Sequence, residues 1–382
     1  MNIAISTTAI ERGKTGVAQY VFALVRAFLP YAGDHRFTLF VLEEDRPLLE
    51  FAAGAMTLVP VAEKYRSAVR NIWWHQTVLP GLLREWQIDV CHVPTYRRLM
   101  WPKPCALVGT IHDLAPFHVP GKYDWARMFY GRKVARQLAR RQDAIIADSR
   151  STARDIERFF GIPLAWQHVI HLGIDHGRFQ PGDRAAAKQQ AAERWRLARP
   201  FFLYVSRLEH PAKNHVRLIE AFNQFKRATN SDWQLVLVGS DYWHGAEAIH
   251  AAAAISPCAR DIRFLGFIDD AALPVLYRAA EALVYPSLFE GFGFPPLEAM
   301  ACGCPVISSA CGSLAEVVAD AADTVDPLNV SAIVGALRRV VTDAGHCDRL
   351  RAAGFRNAQR FNWQRTAEAV LGVYEAVVAR RK

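Results

Sequence analysis

The sequence predicts an α/β protein of two domains, each a doubly wound parallel sheet. Two observations predict it. Short, nearly continuous apolar runs alternate with longer helix-like segments along the chain, and a polar, proline-flanked stretch interrupts that alternation near the middle. Length agrees, since 382 residues are too many for one average domain and comfortable for two. A hydrophobic fraction of 51% and a charged fraction of 22% suit full cores.

In the first half the predicted strands are Asn2–Ser6, Phe37–Leu42, Thr57–Val61, Val90–Val93, Ala106–Ile111 and Ala144–Ala147. In the second half they are Phe201–Val205, Gln234–Val238, Ile262–Phe264, Ala282–Tyr285 and Val306–Ser308. Each is apolar almost throughout, the pattern of a parallel strand buried on both faces. Helices are predicted at Val17–Leu29, Ser151–Phe160, Val216–Ala228, Asp270–Ala279, Pro296–Ala301, Ser331–Thr342 and Trp363–Arg380. The break falls in Pro181–Pro200, which opens with Pro-Gly-Asp, carries Lys188-Gln189-Gln190, ends in Arg199-Pro200 and has room for a helix. The N-terminal domain is therefore set at residues 1–181 and the C-terminal one at 182–362. Ligands of open parallel sheets bind beyond the carboxyl ends of the strands. Two such sheets facing each other across a cleft direct attention to strand ends.

Composition narrows the function. No apolar run is long enough to cross a bilayer, and the opening MNIAISTT lacks a charged leader and a long apolar stretch, so a cytoplasmic location is expected. The seven Cys residues form no CxxC pair, and Cys302 and Cys304 are too closely spaced for a zinc hairpin; all are read as small buried residues in a reducing compartment. The formal charge of +9 favours phosphate-rich partners. No nucleic-acid module is visible; anionic lipid or a pyrophosphate substrate fits that charge as well, and charge alone does not choose among them.

The strongest motif is Glu290-Gly-Phe-Gly-Phe-Pro-Pro-Leu-Glu298, directly after the strand Ala282–Tyr285. Gly291 and Gly293 leave room for backbone N–H groups to reach an anion, and Pro295 and Pro296 suit the start of a helix. A turn feeding a helix N-terminus is a pyrophosphate site, and the two carboxylates can accept hydrogen bonds from sugar or ribose hydroxyls. The segment resembles the Glu-x7-Glu signature of glycosyltransferase family 4, which has the GT-B fold and retains anomeric configuration. The likeness continues in family order through TIHDLAPF, ADSRSTARDI, HLGIDHGRF, SRLEHPAKNHVRLIEAF, RFLGFIDDAALPVLYRAAEALVYPS and ACGCPVISSACGSLAEVVADAADTVDP, from about Ile3 to Pro327. It implies that Glu290 contacts the donor hexose and Glu298 the nucleotide ribose. Gly291, Phe292, Gly293, Phe294 and Ser287 are then expected to line the donor site, with Tyr285 and Pro286 in its wall. Gly312-Ser-Leu-Ala-Glu316 is similar to the family's GSLPEV turn near base and ribose, with Ala315 in place of proline.

Arg207 and Lys213 are two cations on the turn that follows the strand Phe201–Val205. A departing nucleoside diphosphate gains negative charge, which fixed cations and a helix N-terminus stabilise. In many family members this spacing is one residue shorter, and His210-Pro211 widens the loop here. No Asp-x-Asp motif occurs, so neither a metal nor a cofactor is expected, the nucleotide sugar being a substrate. His112-Asp113 ends the strand Ala106–Ile111 as a polar pair, and the resemblance implies that it lies beside the donor sugar without acting as a proton-transferring base. Gly16, after the first strand, permits backbone approach to a phosphate or acceptor, or is a plain loop glycine, and is assigned to the donor side; it is the only glycine left of the family's usual pair, since Thr15 replaces its neighbour. Ser149 and Arg150 follow the strand Ala144–Ala147; they read as a helix cap, and the resemblance also implies an acceptor-side role.

Arg127–Arg141 holds six basic residues and no acidic one. At helical spacing Tyr130, Val134 and Leu138 share one face and Arg132, Arg136 and Arg140 the other, a pattern suited both to packing on the sheet and to anionic lipid. Lys64–Arg70 with Trp73 and Trp74 is a second basic and aromatic patch. The last helix is expected to cross back onto the N-terminal domain, as is common in this fold. The resemblance implies a mannosyl- or rhamnosyltransferase of bacterial surface polysaccharide assembly, using a GDP-linked donor and a glycan or lipid-linked acceptor at the inner membrane face. A UDP- or dTDP-linked donor, a sugar-nucleotide epimerase and a catalytically silent binding subunit are the alternatives.

Overall fold

A computed structural model describes residues 1–118, 125–241, 245–269 and 271–381. The chain divides into two compact units, Met1–Gly173 with Trp363–Lys382, and Ile174–Asn362. The second unit therefore begins before the Pro181–Pro200 interruption, in which Arg184–Trp195 is helical. Its first residues are tied to its last: Ile174 forms a parallel bridge with Asn362, and His176 Nε2 donates to the Phe361 carbonyl at 2.9 Å. Composition marks the change from apolar runs to a polar stretch, whereas this backbone pairing sets where the unit starts.

The first sheet contains β1 (Asn2–Ser6), β2 (Arg36–Leu42), β3 (Thr57–Val61), β4 (Val90–Val93), β5 (Ala106–Ile111), β6 (Ala144–Ala147) and β7 (Gln167–Val169). All pair in parallel, in the order β3-β2-β1-β4-β5-β6-β7. The second contains β8 (Phe201–Val205), β9 (Gln234–Val238), β10 (Ile262–Gly266), β11 (Ala282–Tyr285), β12 (Val306–Ser309) and β13 (Asp323–Val325), parallel in the order β10-β9-β8-β11-β12-β13. Winding reverses between β1 and β4 in one sheet and between β8 and β11 in the other. Loops leaving those strand ends diverge, and a crevice forms between them. Among the described residues no helix is long and apolar enough to cross a membrane.

The central strands follow their apolar runs, while the edges depart from them. β7 and β13 have only three residues each and are partly exposed, so they carry no continuous apolar signal. The helix expected from Asp270 runs over Leu273–Ala279, and Asp270 itself lies outside the described residues. In the basic stretch, a π-helical segment Tyr130–Ala135 separates two short α-helical pieces, Trp125–Phe129 and Arg136–Ala139. The wider turn rotates the register. Gly131, Ala135 and Ala139 become the buried stripe and Val134 is 41% exposed, which corrects the expectation that Val134 packs with Tyr130 and Leu138. All seven cysteines are free, but Cys258 and Cys311 are only half-buried, contrary to the reading that all are buried.

The final helix, Trp363–Ala379, belongs to the first unit and is pinned there by a buried polar chain. Tyr374 Oη lies 2.6 Å from His92 Nδ1, His92 Nε2 lies 2.7 Å from Thr110 Oγ1, and Thr110 meets the Tyr20 hydroxyl at 3.3 Å. Burial, with the charge of His112 nearby, pushes the His92 pKa down to about 3. A neutral imidazole has one donor and one acceptor nitrogen, and two hydroxyl partners satisfy both. Tyr374→Phe leaves a buried ring nitrogen unpaired and is expected to cost about 1–3 kcal/mol of stability, read as a lower urea midpoint. An unchanged midpoint would mean that apolar packing alone holds the helix.

Candidate active site

In the second unit the expected donor residues gather at the reversal between β8 and β11. The turn after β8 carries Lys213, the turn after β11 carries Glu290, and the two side chains pair directly: Lys213 Nζ lies 2.6 Å from Glu290 Oε1 and 2.8 Å from Oε2. Each is only 12% exposed. The Tyr285 hydroxyl donates to Glu290 Oε1 at 2.9 Å. Burial opposes the charge on Glu290, but the Lys213 ammonium and the hydrogen bonds from Lys213, Ser287 and Tyr285 outweigh it and hold the carboxyl below its ordinary value.

Local structure explains the placement. Asn214, with φ +61°, precedes the helix His215–Thr229. Its Nδ2 donates to the Pro286 and Pro327 carbonyls at 3.0 and 2.7 Å, clamping the Lys213 turn to the end of β11. The Tyr204 hydroxyl donates to the Lys213 carbonyl from beneath. Ser287 is buried, its hydroxyl 3.3 Å from the Ala212 carbonyl. Ser313 holds the glycine-rich turn through its hydroxyl, 3.0 Å from the Glu290 carbonyl and 2.7 Å from that of Phe292. Glycine is required at two points here. A Cβ on Gly312 (φ +64°) would lie 2.6 Å from the Glu290 carbonyl oxygen, and one on Gly293 (φ +107°) would lie 2.6 Å from Leu314 Cδ2.

Gly293 leads into the helix Phe294–Ala301, whose first turn contains the expected prolines. Glu298 on that helix accepts a 2.6 Å hydrogen bond from the Tyr277 hydroxyl. Burial and the neighbouring carboxylate keep Tyr277 protonated, so it can only orient Glu298 as a donor. Phe292 is buried between Phe294 and Phe361, at ring distances of 5.3 and 5.8 Å, and supports the turn from behind. Gly291 is half-buried on the same turn. Arg207 does not join Lys213: its Nη2 reaches Glu209 at 3.0 Å, and its side chain is 42% exposed.

In the first unit His112, after β5, bridges the ends of three strands. Its Nδ1 lies 2.6 Å from Asp148 Oδ2, beyond β6, and its Nε2 lies 3.0 Å from the Pro94 carbonyl, beyond β4. The Tyr20 ring stands edge-on to it at 4.7 Å. A carbonyl and an ionised carboxylate only accept, so both ring nitrogens must donate and the ring is an imidazolium. Burial acts against that charge, but Asp148, the Pro94 carbonyl and the more distant Asp113 outweigh it and raise the pKa above the ordinary histidine value. The partner of His112 is thus Asp148 rather than the adjacent Asp113, whose Oδ1 instead accepts from the Ala115 N–H at 2.9 Å. Ser149 is fully buried and its hydroxyl caps the helix Arg150–Asp155 by accepting from the Thr152 N–H at 3.0 Å, while Arg150 is exposed at the first position of that helix. Gly16 opens the helix Gly16–Phe28 after the Thr15 cap, and nothing lies within 4 Å of a Cβ placed there.

Sequence reasoning missed Asp148 and Tyr277. The signal for Asp148 was present, because it ends an apolar strand just as His112 does. Tyr277 is visible only once its helix packs beside Phe294–Ala301.

A model of group 1 glycosyl transferases matches residues 186–357, and one of glycosyltransferase family 4 matches residues 14–178. The O-antigen chain mannosyltransferase B of Escherichia coli is 30% identical over 270 residues, covering 70% of each chain. This chain belongs to the family 4 glycosyltransferases. A D-inositol 3-phosphate glycosyltransferase of Salinispora tropica is 34% identical over 260 residues, and there the match spans 64% of this chain but only 53% of the relative. The sucrose-phosphate synthase of Thermosynechococcus elongatus superposes with a TM-score of 0.78 over the full length of both chains at 21% identity. At that identity the likeness carries the fold, GT-B, and no substrate.

The His112 charge has a pH signature. With the folded-state value raised, the stability it contributes is fully present below the ordinary histidine value of about 6.5 and is lost as pH rises through the raised value. The gap in unfolding free energy between the wild-type protein and His112→Asn is therefore expected to narrow with rising pH in urea titrations from about pH 6 to about pH 9. A gap independent of pH would show that His112 is uncharged in this pair.

Proposed function

We propose that this glycosyltransferase moves a hexose, mannose or a deoxyhexose such as rhamnose, from a GDP-linked donor to a glycan or lipid-linked acceptor, with retention and without a metal ion. The observation that carries the reading is the Lys213–Glu290 pair across the reversal of the second sheet. An ammonium there can neutralise a diphosphate, and its carboxylate partner can turn to sugar hydroxyls. Glu298, oriented by Tyr277, accepts from the ribose hydroxyls. The Gly291–Gly293 turn offers backbone to the phosphates, and Arg207 is the second cation once it exchanges Glu209 for a phosphate oxygen. The mannosyl choice is supported by what the Escherichia coli relative is named for.

In the proposed reaction the acceptor oxygen bonds to the anomeric carbon on the face the diphosphate leaves. The bond from that carbon to the phosphate oxygen breaks, its electron pair departs with the diphosphate, and the acceptor proton passes to a diphosphate oxygen. No protein base is needed, which suits a His112 ring whose two nitrogens already donate. His112 and Asp113 then contribute fixed charge beside the donor sugar, and Gly16 gives backbone access to its phosphates. Ser149 and Arg150 belong to the acceptor side, Ser149 through the helix it caps.

The donor is tested by thermal shift with GDP, UDP, dTDP and ADP. A nucleotide at one hundred times its dissociation constant stabilises by about 2.7 kcal/mol, and GDP is expected to reach this at the lowest concentration. A lower requirement for UDP or dTDP would replace the GDP assignment. Lys213→Ala is expected to slow donor hydrolysis by roughly 10²–10³-fold. Equal rates would remove Lys213 from the phosphate site.

An anionic membrane surface at the cytoplasmic face is proposed as a further partner. Trp125, Phe129 and Val134 are 80%, 51% and 41% exposed beside the exposed Arg132 and Lys133, and Trp73 is 53% exposed in the other basic patch. Co-sedimentation with anionic liposomes is expected at low salt and should fade as the screening length shortens. No binding at low salt would reject it.

A further inference from the structure

The amino ends of β1, β2 and β3 border a cavity of about 300 Å³ that the proposed transfer does not use. It lies at the opposite end of the first sheet from His112, which follows the carboxyl end of β5. That strand has 6 residues, so about 20 Å separates the two levels. The floor of the cavity is one face of the sheet. Asn2 pairs in register with Arg36, and Thr38 with Thr57. Register partners, and residues two apart on one strand, point to the same face, so these side chains stand together. Further along that face the cover is apolar, with Phe40, Leu42, Leu79, Leu83 and Ile88 in one buried cluster. The covering helix Leu79–Glu85 then ends, and Gln87, with φ +50°, turns the chain towards β4. The cover stops short of the strand starts, and Trp86, 40% exposed, becomes a wall of the cavity. Asn2 Nδ2 donates to the Gln87 carbonyl at 3.1 Å, which fixes that wall to β1.

Thr38 is the informative residue. It is only 6% exposed, yet its hydroxyl has no hydrogen-bond partner among the described residues and is not among the atoms sealed from solvent, so it opens on the cavity. Such a hydroxyl is left for water or for a ligand that displaces it. The side chains of Thr57 and Arg36 likewise have no partner among the described residues, and Asn2 keeps its Oδ1. The floor therefore offers a donor in Arg36, an acceptor in Asn2 Oδ1 and two hydroxyls that do either, beside an indole. No carboxylate lines the cavity. An anion only accepts, so the Asn2 oxygen would repel it. A sugar hydroxyl both donates and accepts, and the C–H face of a sugar ring packs on an aromatic side chain whose edge stays wet.

We propose that this cavity is a second carbohydrate-binding site, in which Trp86, Thr38, Thr57, Asn2 and Arg36 hold a neutral stretch of glycan at the far end of the sheet from the transfer chemistry. This rests on the reading that the acceptor is a glycan. The consequence is a dependence on acceptor length. A short acceptor engages only where transfer occurs, whereas a longer one engages both places and gains from the second contact being intramolecular.

The test titrates α-mannotriose and maltotriose into the full-length protein and reads binding by calorimetry, for the wild type, Trp86→Ala and Thr38→Val. At least one trisaccharide is expected to bind the wild type. Trp86→Ala should weaken that binding about tenfold or more, and Thr38→Val about three- to tenfold. Val keeps the shape of Thr without its hydroxyl, so Thr38→Val decides the matter should Trp86→Ala fail to fold. No trisaccharide binding by the wild type, or equal affinities in all three proteins, overturns the proposal. So does binding of inorganic sulfate that Arg36→Gln abolishes where neither trisaccharide binds, because the cavity is then an anion site. Transfer assays add the length dependence. The ratio of KM for methyl α-mannoside to KM for α-mannotriose as acceptor should fall about tenfold in Trp86→Ala, and an unchanged ratio overturns the assignment to the acceptor. Trp86-dependent trisaccharide binding by a protein that transfers to no glycan upholds the site and counts against the glycan-acceptor reading alone, because calorimetry reads binding without turnover.

Discussion

A single buried ion pair organises the second unit. Lys213 and Glu290 come from turns that diverge on opposite sides of the sheet's reversal, and each is nearly sealed from water. Removing one partner of such a pair leaves an uncompensated charge, at a cost of about 3–5 kcal/mol. The surrounding contacts keep the pair in register: Asn214 clamps the lysine turn, Ser313 the glutamate turn, and Tyr285 supplies a third donor. The glycines at 293 and 312 answer a separate requirement, since the Glu290 turn and the Gly312–Leu314 segment approach too closely for a side chain. Its positive charge is desolvated and its counter-charge is a carboxylate, the two features on which the proposed phosphate site rests.

The first unit solves a similar problem with different chemistry. His112 ties together the ends of β4, β5 and β6, and both its nitrogens are engaged by acceptors. On the neighbouring strand β4, His92 sits between two hydroxyls and stays neutral. Two histidines on adjacent strands thus hold opposite charge states, fixed by whether their partners are anions and carbonyls or hydroxyls. The charge of His112 itself helps to keep His92 neutral, so the two settings reinforce each other.

How much of this was legible in the sequence depends on the kind of signal. The central strands were, because burial on both faces demands unbroken apolar runs, and so was the Glu290–Glu298 turn, because glycine and proline mark its backbone. The edge strands Gln167–Val169 and Asp323–Val325 were not, since a half-exposed strand of three residues needs no apolar run. The π-helical turn at Tyr130–Ala135 was also hidden, because it shifts which residues face inward without changing composition. Within the sites, residue identity revealed the charged groups but not their partners. Lys213 and Arg207 lie on one turn and are bound to different carboxylates, and His112 passes over its neighbour Asp113 for Asp148. Pairing is a property of tertiary geometry, and a single sequence carries no record of it.

The return of the last helix to the first unit makes the second unit an insertion within the first. The ribosome therefore releases residues 1–173 long before Tyr374 exists to cover His92. Until then a face of that sheet meant for Val370, Leu371, Val373 and Tyr374 is open to water, while residues 174–362 already have all their own parts. Synthesis order and folding order are thereby decoupled: the half made first is the half completed last.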